Sequence, residues 1–426
     1  MDQFMISHFG SAAVAAIGNG NQVMNVVIIV LTTMSTAATI LLTQHIGAGR
    51  VGKECSEIVT VAVTVSAVFS FLVGLFLLLE PELVFQLLRT PEDAFDGACL
   101  YTRIVGGTVL LQGLYIQLCA VLRSYTLLKE VVVLSVSMNL LNVVGNAILI
   151  NGFFGFPQMG VAGAAVATII GQFCGCALAI YFNHKKNTDI TLSIKGFRPD
   201  WSLIGEIYAI GLPSVIMVGI GSVMTFLMNK ILITYHSAHE TAATAFGVYF
   251  KLNSFIFMPV FGMNNGIIPI VAYNYGAQNR RRMMETIKRG TLYASCIMVA
   301  GTILFQAIPG PLLSIFDATD TMMAVGIPAL RIISLSFCMA GACIALGSSF
   351  QALGKSLYSM VTSIVRQLVF LVPIAYVLAR YGASVGNDDL VWWCYPIAEI
   401  ASLLLTLCFF RHVYKTMIAQ IPEGRA

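Results

Sequence analysis

The chain has 426 residues, of which 58% are hydrophobic and only 10% are charged, and its net charge is +4. Soluble domains carry about 25% charged residues, so this composition excludes an ordinary soluble protein and indicates one whose solvent is lipid. The net charge is too small to indicate a nucleic acid partner.

Apolar segments that are long enough to cross a bilayer follow one another along the chain. A helix needs about 20 residues to span roughly 30 Å of hydrocarbon. Eleven segments meet this condition, at 21–46, 55–79, 98–122, 131–151, 160–183, 202–234, 242–273, 290–309, 322–350, 357–379 and 391–413. A shorter apolar stretch at 1–10 predicts the end of one more helix. We therefore expect twelve transmembrane helices, with the first truncated at the N-terminus.

Basic residues are concentrated in alternate loops. One set of loops, with the C-terminal tail, holds Arg50, Lys53, Arg123, Lys129, Lys185, Lys186, Lys195, Arg198, Arg280, Arg281, Arg282, Lys288, Arg289, Lys355, Arg411, Lys415 and Arg425. The opposite loops hold Arg89 and Arg380 and are otherwise acidic. Cytoplasmic loops carry the excess of Lys and Arg, so the first set and the C-terminus are predicted to be cytoplasmic.

A short motif occurs twice, 229 positions apart. Gln44…Gly47-Ala48 ends one apolar segment, and Asn274-Tyr275-Gly276-Ala277 ends another. Repeats of half a chain are typical of secondary transporters. The polar loop 184–201 lies between the two halves, so we predict an all-α bundle of two pseudo-symmetric six-helix lobes, 1–190 and 191–426.

Polar side chains inside the predicted membrane segments are the candidate functional residues, because charge is costly there. Asn142 and Asn146 are four residues apart and face one side of a helix, and Thr168 lies on the next segment. These side chains either bond neighbouring helices together or form a polar pocket with Asp2. In the second half, Glu399 is expected to pair with Arg366 or Lys251, forming a polar cluster.

Several motifs resemble those of one transporter family. They are Asp2-Gln3-Phe4-Met5-Ile6-Ser7-His8-Phe9-Gly10, the paired motif above, Asn142-Val143-Val144-Gly145-Asn146, Gly160-Val161-Ala162-Gly163 and Gln351-Ala352-Leu353-Gly354-Lys355. Together they resemble the multidrug and toxic compound extrusion (MATE) family, in its MepA-like bacterial branch.

The resemblance implies a secondary antiporter that exports amphipathic, cationic compounds in exchange for H⁺ or Na⁺, and no further cofactor. It implies that Asp2, Asn142, Asn146 and Thr168 couple transport to the cation. Some family members have a second cation site with acids in helices 7 and 10. Here Gly219, Gly221, Ser222, Cys338 and Gly341 occupy those regions, so that site is expected to be absent.

The resemblance also places the protein in the bacterial cell membrane, as a monomer without enzymatic activity or metal. Its substrates are expected to contact adaptable apolar residues, for which we select Phe257, Met258, Phe261 and Met263. The alternative within transport is a flippase of lipid-linked oligosaccharides with the same two-lobe architecture. An intramembrane enzyme lacks a visible catalytic constellation, and a receptor would not explain the repeat.

Overall fold

The computed structural model describes residue 6, residues 10–187 and residues 200–423. Within these ranges the secondary structure is helical and contains no strand, as the all-α prediction required. Contacts divide the chain into two compact units, Met1–Gly211 and Leu212–Ala426. The sequence placed the division at 190/191, in the polar loop. The contacts instead divide the chain within the helix Trp201–Tyr235. The first turns of this helix belong to the first unit, because Gly211 lies against Met34.

The helices are introduced here in chain order. The first unit contains α1 (Ser11–Gly47), α2 (Lys53–Leu79), α3 (Pro81–Leu87), α4 (Glu92–Gly106), α5 (Val109–Ser124), α6 (Leu128–Asn151) and α7 (Gly160–Lys186). Helix α8 (Trp201–Tyr235) continues into the second unit, which adds α9 (Glu240–Gly276), α10 (Arg280–Ala307), α11 (Pro309–Ser314), α12 (Asp320–Ser334), α13 (Phe337–Ala352), α14 (Ser356–Ile364), α15 (Val372–Val385) and α16 (Cys394–Thr416). A π-helical segment, Val365–Leu371, joins α14 to α15, and 3-10 turns occupy Phe153–Gly155, Asp388–Trp393 and Ile418–Gln420.

The described helices account for the predicted membrane segments. Nine stretches are long and apolar enough to cross a bilayer, and two bent helix pairs raise the number to eleven among the described residues. These eleven correspond to the eleven full-length segments predicted from hydropathy, so the protein is a multi-pass membrane protein. The predicted helical end at 1–10 lies almost wholly outside the described residues.

Two of the spans are bent, at equivalent places in the two units. The sequence predicted unbroken segments at 98–122 and 322–350, but α4 and α5 meet at 52°, and α12 and α13 meet at 51°. The Thr108 hydroxyl donates to the Val105 carbonyl at 2.8 Å, and the Ser336 hydroxyl donates to the Ile333 carbonyl at 2.6 Å. Such local bonds compete with the helical ladder at the two bends.

The helix order of the first unit recurs in the second. Helices α1 and α9 each have 37 residues, α4 and α12 each have 15, and α5 and α13 each have 16. Each short connecting helix, α3 and α11, begins with a proline at its first position, where the missing N–H costs no bond. The repeat predicted from one motif therefore extends at least from α1 to α5 and from α9 to α13.

The repeated motif forms the same turn in both units. Gly49 and Gln278, which are 229 positions apart, both adopt positive φ, at 72° and 53°. The His45 ring bonds to the Leu41 carbonyl at 2.9 Å, and the Asn274 amide donates to the Ile270 carbonyl at 2.8 Å. The structural counterpart of Asn274 is therefore His45, one residue after the Gln44 that the sequence comparison aligned with it.

Apolar side chains fill the interior of each unit and also cover its surface. Phe246, Phe305 and Trp392 are almost fully buried in the second unit. Large apolar side chains on the outside, such as Phe226 and Leu72, are more than half exposed. Such a surface is stable against lipid tails, which are as apolar as the side chains themselves.

A compact turn after α8 holds a buried histidine. His236 is 6% exposed, and its Nδ1 accepts a hydrogen bond from the Ala238 backbone N–H at 3.1 Å. Asp388 accepts from the Ser237 backbone N–H at 3.0 Å and from its hydroxyl, and lies 3.8 Å from His236 Nδ1. Burial lowers the pKa of His236, although the Asp388 and Asp389 carboxylates oppose that effect.

We expect this turn to lose stability as the pH falls. The folded state binds a proton at His236 less readily than the unfolded state does, so acidification favours unfolding. The free energy of unfolding is therefore unaffected by this group above about pH 6.5, the ordinary histidine pKa, and falls below that pH. His236→Asn keeps an acceptor for Ala238 but does not titrate, so it should reduce the pH dependence of the melting temperature. Thermal unfolding at about pH 7.5 and about pH 5.5 compares the two proteins, and identical pH dependences would contradict this expectation.

Candidate functional site

The first unit contains a chain of hydrogen-bonded polar side chains between α6 and α7. The Asn146 amide donates to Asn142 Oδ1 at 3.1 Å, and the Asn142 amide donates to the Thr168 hydroxyl at 3.1 Å. The Thr168 hydroxyl donates in turn to the Ala164 carbonyl at 2.9 Å. Asn146 is 0% exposed. The structure thus brings together three of the four residues predicted to couple transport to a cation.

Small residues allow the two helices to approach closely enough for these bonds. A Cβ built on Gly163 would lie 2.7 Å from the Leu149 carbonyl oxygen, and one built on Gly145 would lie 3.0 Å from Ala167 Cβ. Glycine and alanine at such crossings let helix backbones meet in a membrane. The glycines and the polar side chains therefore act together, because short amide and hydroxyl groups reach across only a narrow gap.

The fourth predicted residue, Asp2, lies outside the described residues. The other polar groups nearby have different partners. Asn139 donates to the Ser135 carbonyl of its own helix at 2.7 Å, and the Gln172 side chain lies 3.1 Å from the Thr108 hydroxyl at the bend between α4 and α5. Amide and hydroxyl oxygens are hard ligands. Together with a carboxylate they can coordinate a small cation, and the carboxylate can bind a proton instead.

The second unit contains a buried ion pair. Arg366 Nη1 donates to Glu399 Oε1 at 2.9 Å, and the two side chains are 25% and 9% exposed. Of the two partners that the sequence allowed for Glu399, the structure selects Arg366. Lys251 is exposed, and its Nζ lies 5.7 Å from the centre of the Phe316 ring. The predicted cluster of three charges is therefore a pair, because Lys251 faces away from it.

A cavity of about 330 Å³ adjoins the ion pair. Its lining includes Gly221, Tyr249, Asn253, Phe257, Arg366 and Glu399. Ligand pockets in proteins usually measure about 300–1,000 Å³ and combine apolar walls with a few polar groups. This cavity has both properties.

The structure places the four predicted substrate-contacting residues in different surroundings. Phe257 lines the cavity, with its ring 5.6 Å from that of Phe337. Met258 and Phe261 are 65% and 55% exposed, and Met263 packs against the core. The prediction missed Tyr249 and Asn253. Their four-residue spacing with Phe257 and Phe261 along α9 is the sequence signal that would have found them.

The fold and its two polar sites define a multi-pass helical membrane transporter built on an internal repeat. The family model described as MatE matches residues 1–148 and 213–377, which together are more than half of the chain. The chain belongs to this family, the MATE transporters.

Known relatives agree with this assignment. A probable multidrug resistance protein NorM from Thermotoga maritima is 25% identical over 381 residues, which cover 89% of this chain and 81% of that protein. The multidrug export protein MepA of Staphylococcus haemolyticus is 26% identical over 276 residues, which cover 63% of this chain and 56% of that protein.

Solved structures share the fold at low sequence identity. A MATE crystal structure in the straight conformation has a TM-score of 0.88 and 19% identity, covering 98% of this chain and 92% of that chain. A MOP superfamily transporter from Pyrococcus furiosus, described as having a binding pocket of reverse polarity, has a TM-score of 0.87 and 19% identity, covering 98% and 91%. At this identity the similarity establishes the fold, and the substrate must be argued from the site.

Proposed function

We propose that this protein exports amphipathic, cationic organic compounds across a bacterial cell membrane by antiport with H⁺ or Na⁺. The observation that carries the proposal is the partly buried hydrogen-bonded chain of Asn142, Asn146 and Thr168 between α6 and α7, in which Asn146 is fully buried. Buried polar groups at membrane depth mark ion pathways and coupling sites. The relatives named as multidrug export and resistance proteins support the substrate class.

In this proposal Asp2 supplies the charge and the three neutral side chains surround it. A carboxylate beside amide and hydroxyl groups binds either a proton or Na⁺. Cation binding removes the net charge of the site and favours a different conformation of the transporter. Drug and cation then need only prefer different conformations for their movements to be linked.

The charge of the second-unit cavity favours this proposal over a flippase of lipid-linked oligosaccharides. A site for pyrophosphate requires cationic side chains that are free to bind it. Arg366 lines the cavity, but its charge is already balanced by Glu399 at 2.9 Å. We further propose that the C-terminus is cytoplasmic and that the monomer is the transporting unit.

Replacing Thr168 by valine should reduce cation-driven efflux about tenfold, because it removes one hydrogen bond of the proposed site, worth roughly 1–1.5 kcal/mol. Asp2→Asn should abolish gradient-driven efflux. The measurement is transport of ethidium by proteoliposomes, with the H⁺ and Na⁺ gradients imposed separately.

Thr64→Val is the matched control. The Thr64 hydroxyl donates to the Thr60 carbonyl of its own helix at 2.7 Å and contributes nothing to the proposed site. Its efflux should equal that of the unmodified protein. Normal efflux in both Asp2→Asn and Thr168→Val would remove the first unit from the coupling mechanism.

A further inference from the structure

A second cavity, of about 600 Å³, lies between the first turns of α10, the end of α16 and Glu423. Four of the side chains that line it are basic, and they are Arg280, Arg281, Lys288 and Arg289. Two are acidic, Glu285 and Glu423, so the lining has a formal charge of +2. Ligand pockets usually measure about 300–1,000 Å³, and an excess of one charge attracts ligands of the opposite charge. This cavity therefore suits a ligand that carries an anion.

Two of the four cations are not neutralised. Both acidic residues of the cavity are already paired, one with Arg280 at 2.6 Å and the other with Arg289. Arg281 and Lys288 are exposed, and their side chains form no ion pair with any described residue. A phosphate group can therefore bind to these two side chains without breaking an existing contact.

The two unpaired cations begin an exposed stripe along α10. Arg281 and Lys288 are seven residues apart, or two helical turns, and therefore share one face. The same face continues with Leu292, Val299 and Ile303, which are 59%, 40% and 62% exposed. These five residues, the α10 stripe, lie on a helix that is long and apolar enough to cross a bilayer. The stripe is cationic at one end and apolar along the rest, which complements an anionic headgroup followed by an acyl chain.

The end of α16 contributes a similar surface. Tyr414 lines the cavity and is 37% exposed, so its hydroxyl can donate a hydrogen bond to a phosphate oxygen. Leu407, Leu404 and Ile400 lie on the same face of α16 and are 48%, 61% and 50% exposed. Both helices thus combine a polar end at the cavity with an exposed apolar face.

The internal repeat shows that the fold does not require this basic cluster. The positions 229 residues before Arg281 and Lys288 are Gly52 and Val59, which carry no charge. Val59 is 2% exposed, so the first unit has a buried apolar residue where the second has an exposed lysine. The unpaired cations are therefore particular to the second unit, as expected for a binding site.

We propose that this cavity binds the headgroup of an anionic phospholipid, with Arg281 and Lys288 holding its phosphate and an acyl chain lying along the α10 stripe. Soluble phosphates share the headgroup chemistry, but only a lipid also covers the apolar part of the stripe. The inference is independent of the proposed export function, since binding requires neither a gradient nor the polar chain of the first unit.

A tryptophan placed on the stripe reports the lipid beside it. Leu292 and Leu72 are both 59% exposed, so Leu72→Trp on α2 is a matched control for Leu292→Trp. The full-length variants are reconstituted in phosphatidylcholine vesicles in which a minor fraction of the lipid has brominated chains, as either phosphatidylglycerol or phosphatidylcholine. Bromine quenches an indole that it contacts, and the signal of the protein's own three tryptophans is subtracted.

We expect brominated phosphatidylglycerol to quench the Leu292→Trp variant several times more strongly than brominated phosphatidylcholine does. Each basic residue contributes about 1 kcal/mol to binding an anionic lipid, so two of them should favour phosphatidylglycerol about thirtyfold. The two lipids should quench Leu72→Trp equally. Equal quenching of Leu292→Trp by the two lipids would overturn the proposal.

The charges of the cavity are tested in the Leu292→Trp background. Arg281→Gln with Lys288→Gln removes two exposed cations that form no ion pair with a described residue, so the fold should be retained. Lys53→Gln with Lys129→Gln removes two exposed cations of the first unit, which do not line the cavity. We expect the first pair of replacements to abolish the preference for phosphatidylglycerol and the second pair to preserve it. A preference that survives Arg281→Gln with Lys288→Gln would exclude these residues from the site.

A further comparison distinguishes a lipid from a soluble phosphate. Vesicles are prepared with millimolar inorganic phosphate, or with sodium chloride at the same ionic strength so that screening is equal. The preference of the Leu292→Trp variant for phosphatidylglycerol should be the same in both solutions. If phosphate removed the preference and chloride did not, the cavity would be a site for soluble phosphate and the lipid assignment would be wrong.

Discussion

Replacing Glu399 by leucine is expected to destabilise the protein by about 3–5 kcal/mol, since it leaves the Arg366 charge buried without its partner. The two groups lie 2.9 Å apart, and both are largely enclosed by the second unit. For a unit of this size, the loss corresponds to a fall in melting temperature on the order of 10 °C. Thermal unfolding of the purified protein measures it.

The double replacement Arg366→Met with Glu399→Leu should recover most of that loss. Apolar side chains of similar volume often replace a buried ion pair without cost, because neither charge has to be removed from water. Recovery of the melting temperature in the double variant would show that the loss in Glu399→Leu comes from the unpaired charge of Arg366.

The ion pair between Arg103 and Glu82 provides the control. Its side chains are 45% and 40% exposed, so solvent screens the charges and the pair is worth about 0–1 kcal/mol. Glu82→Gln should therefore hardly change the melting temperature. If Glu399→Leu and Glu82→Gln had equally small effects, the Arg366–Glu399 pair would not be buried in the folded protein.

Replacing Gly163 by alanine is expected to destabilise the first unit by roughly 1–3 kcal/mol and to impair efflux. The added Cβ would lie 2.7 Å from the Leu149 carbonyl oxygen and 2.8 Å from its carbon. A backbone atom has no alternative rotamer, so α6 and α7 must separate. The bond of 3.1 Å between Asn142 and Thr168 crosses the same interface and should weaken as they do.

Gly205→Ala is the matched control for Gly163→Ala. Gly205 is an exposed helical glycine with nothing within 4 Å of the added atom. Alanine is favoured over glycine in a helix by up to about 1 kcal/mol, so this variant should be unchanged or slightly more stable. Melting temperatures and ethidium efflux of the two variants test the prediction together. Normal efflux in a destabilised Gly163→Ala protein would show that the Asn142–Thr168 bond is not needed for coupling.

The membrane spans and the repeat were determined by the sequence itself. Whether a segment such as 131–151 spans depends on the mean polarity of about 20 consecutive residues, a sum that single positions change little. The pairing of Asn142 with Asn146 was also predictable, because both lie on one helix and the four-residue spacing sets their directions.

Contacts between helices were decided only by the tertiary structure. Successive residues point about 100° apart around a helix, so Lys251 and Asn253 lie on nearly opposite faces of α9, and only the packing of α9 determines which of them faces the cavity. The sequence offered Arg366 and Lys251 equally to Glu399, and the packing of the second unit selected Arg366. The bends at Thr108 and Ser336 escaped the hydropathy pattern because that pattern records the mean polarity of a segment and not the direction of its axis. The four-residue spacing along α9 indicates which of its residues share a face, but the cavity itself forms where side chains from several helices fail to meet, which no single segment shows.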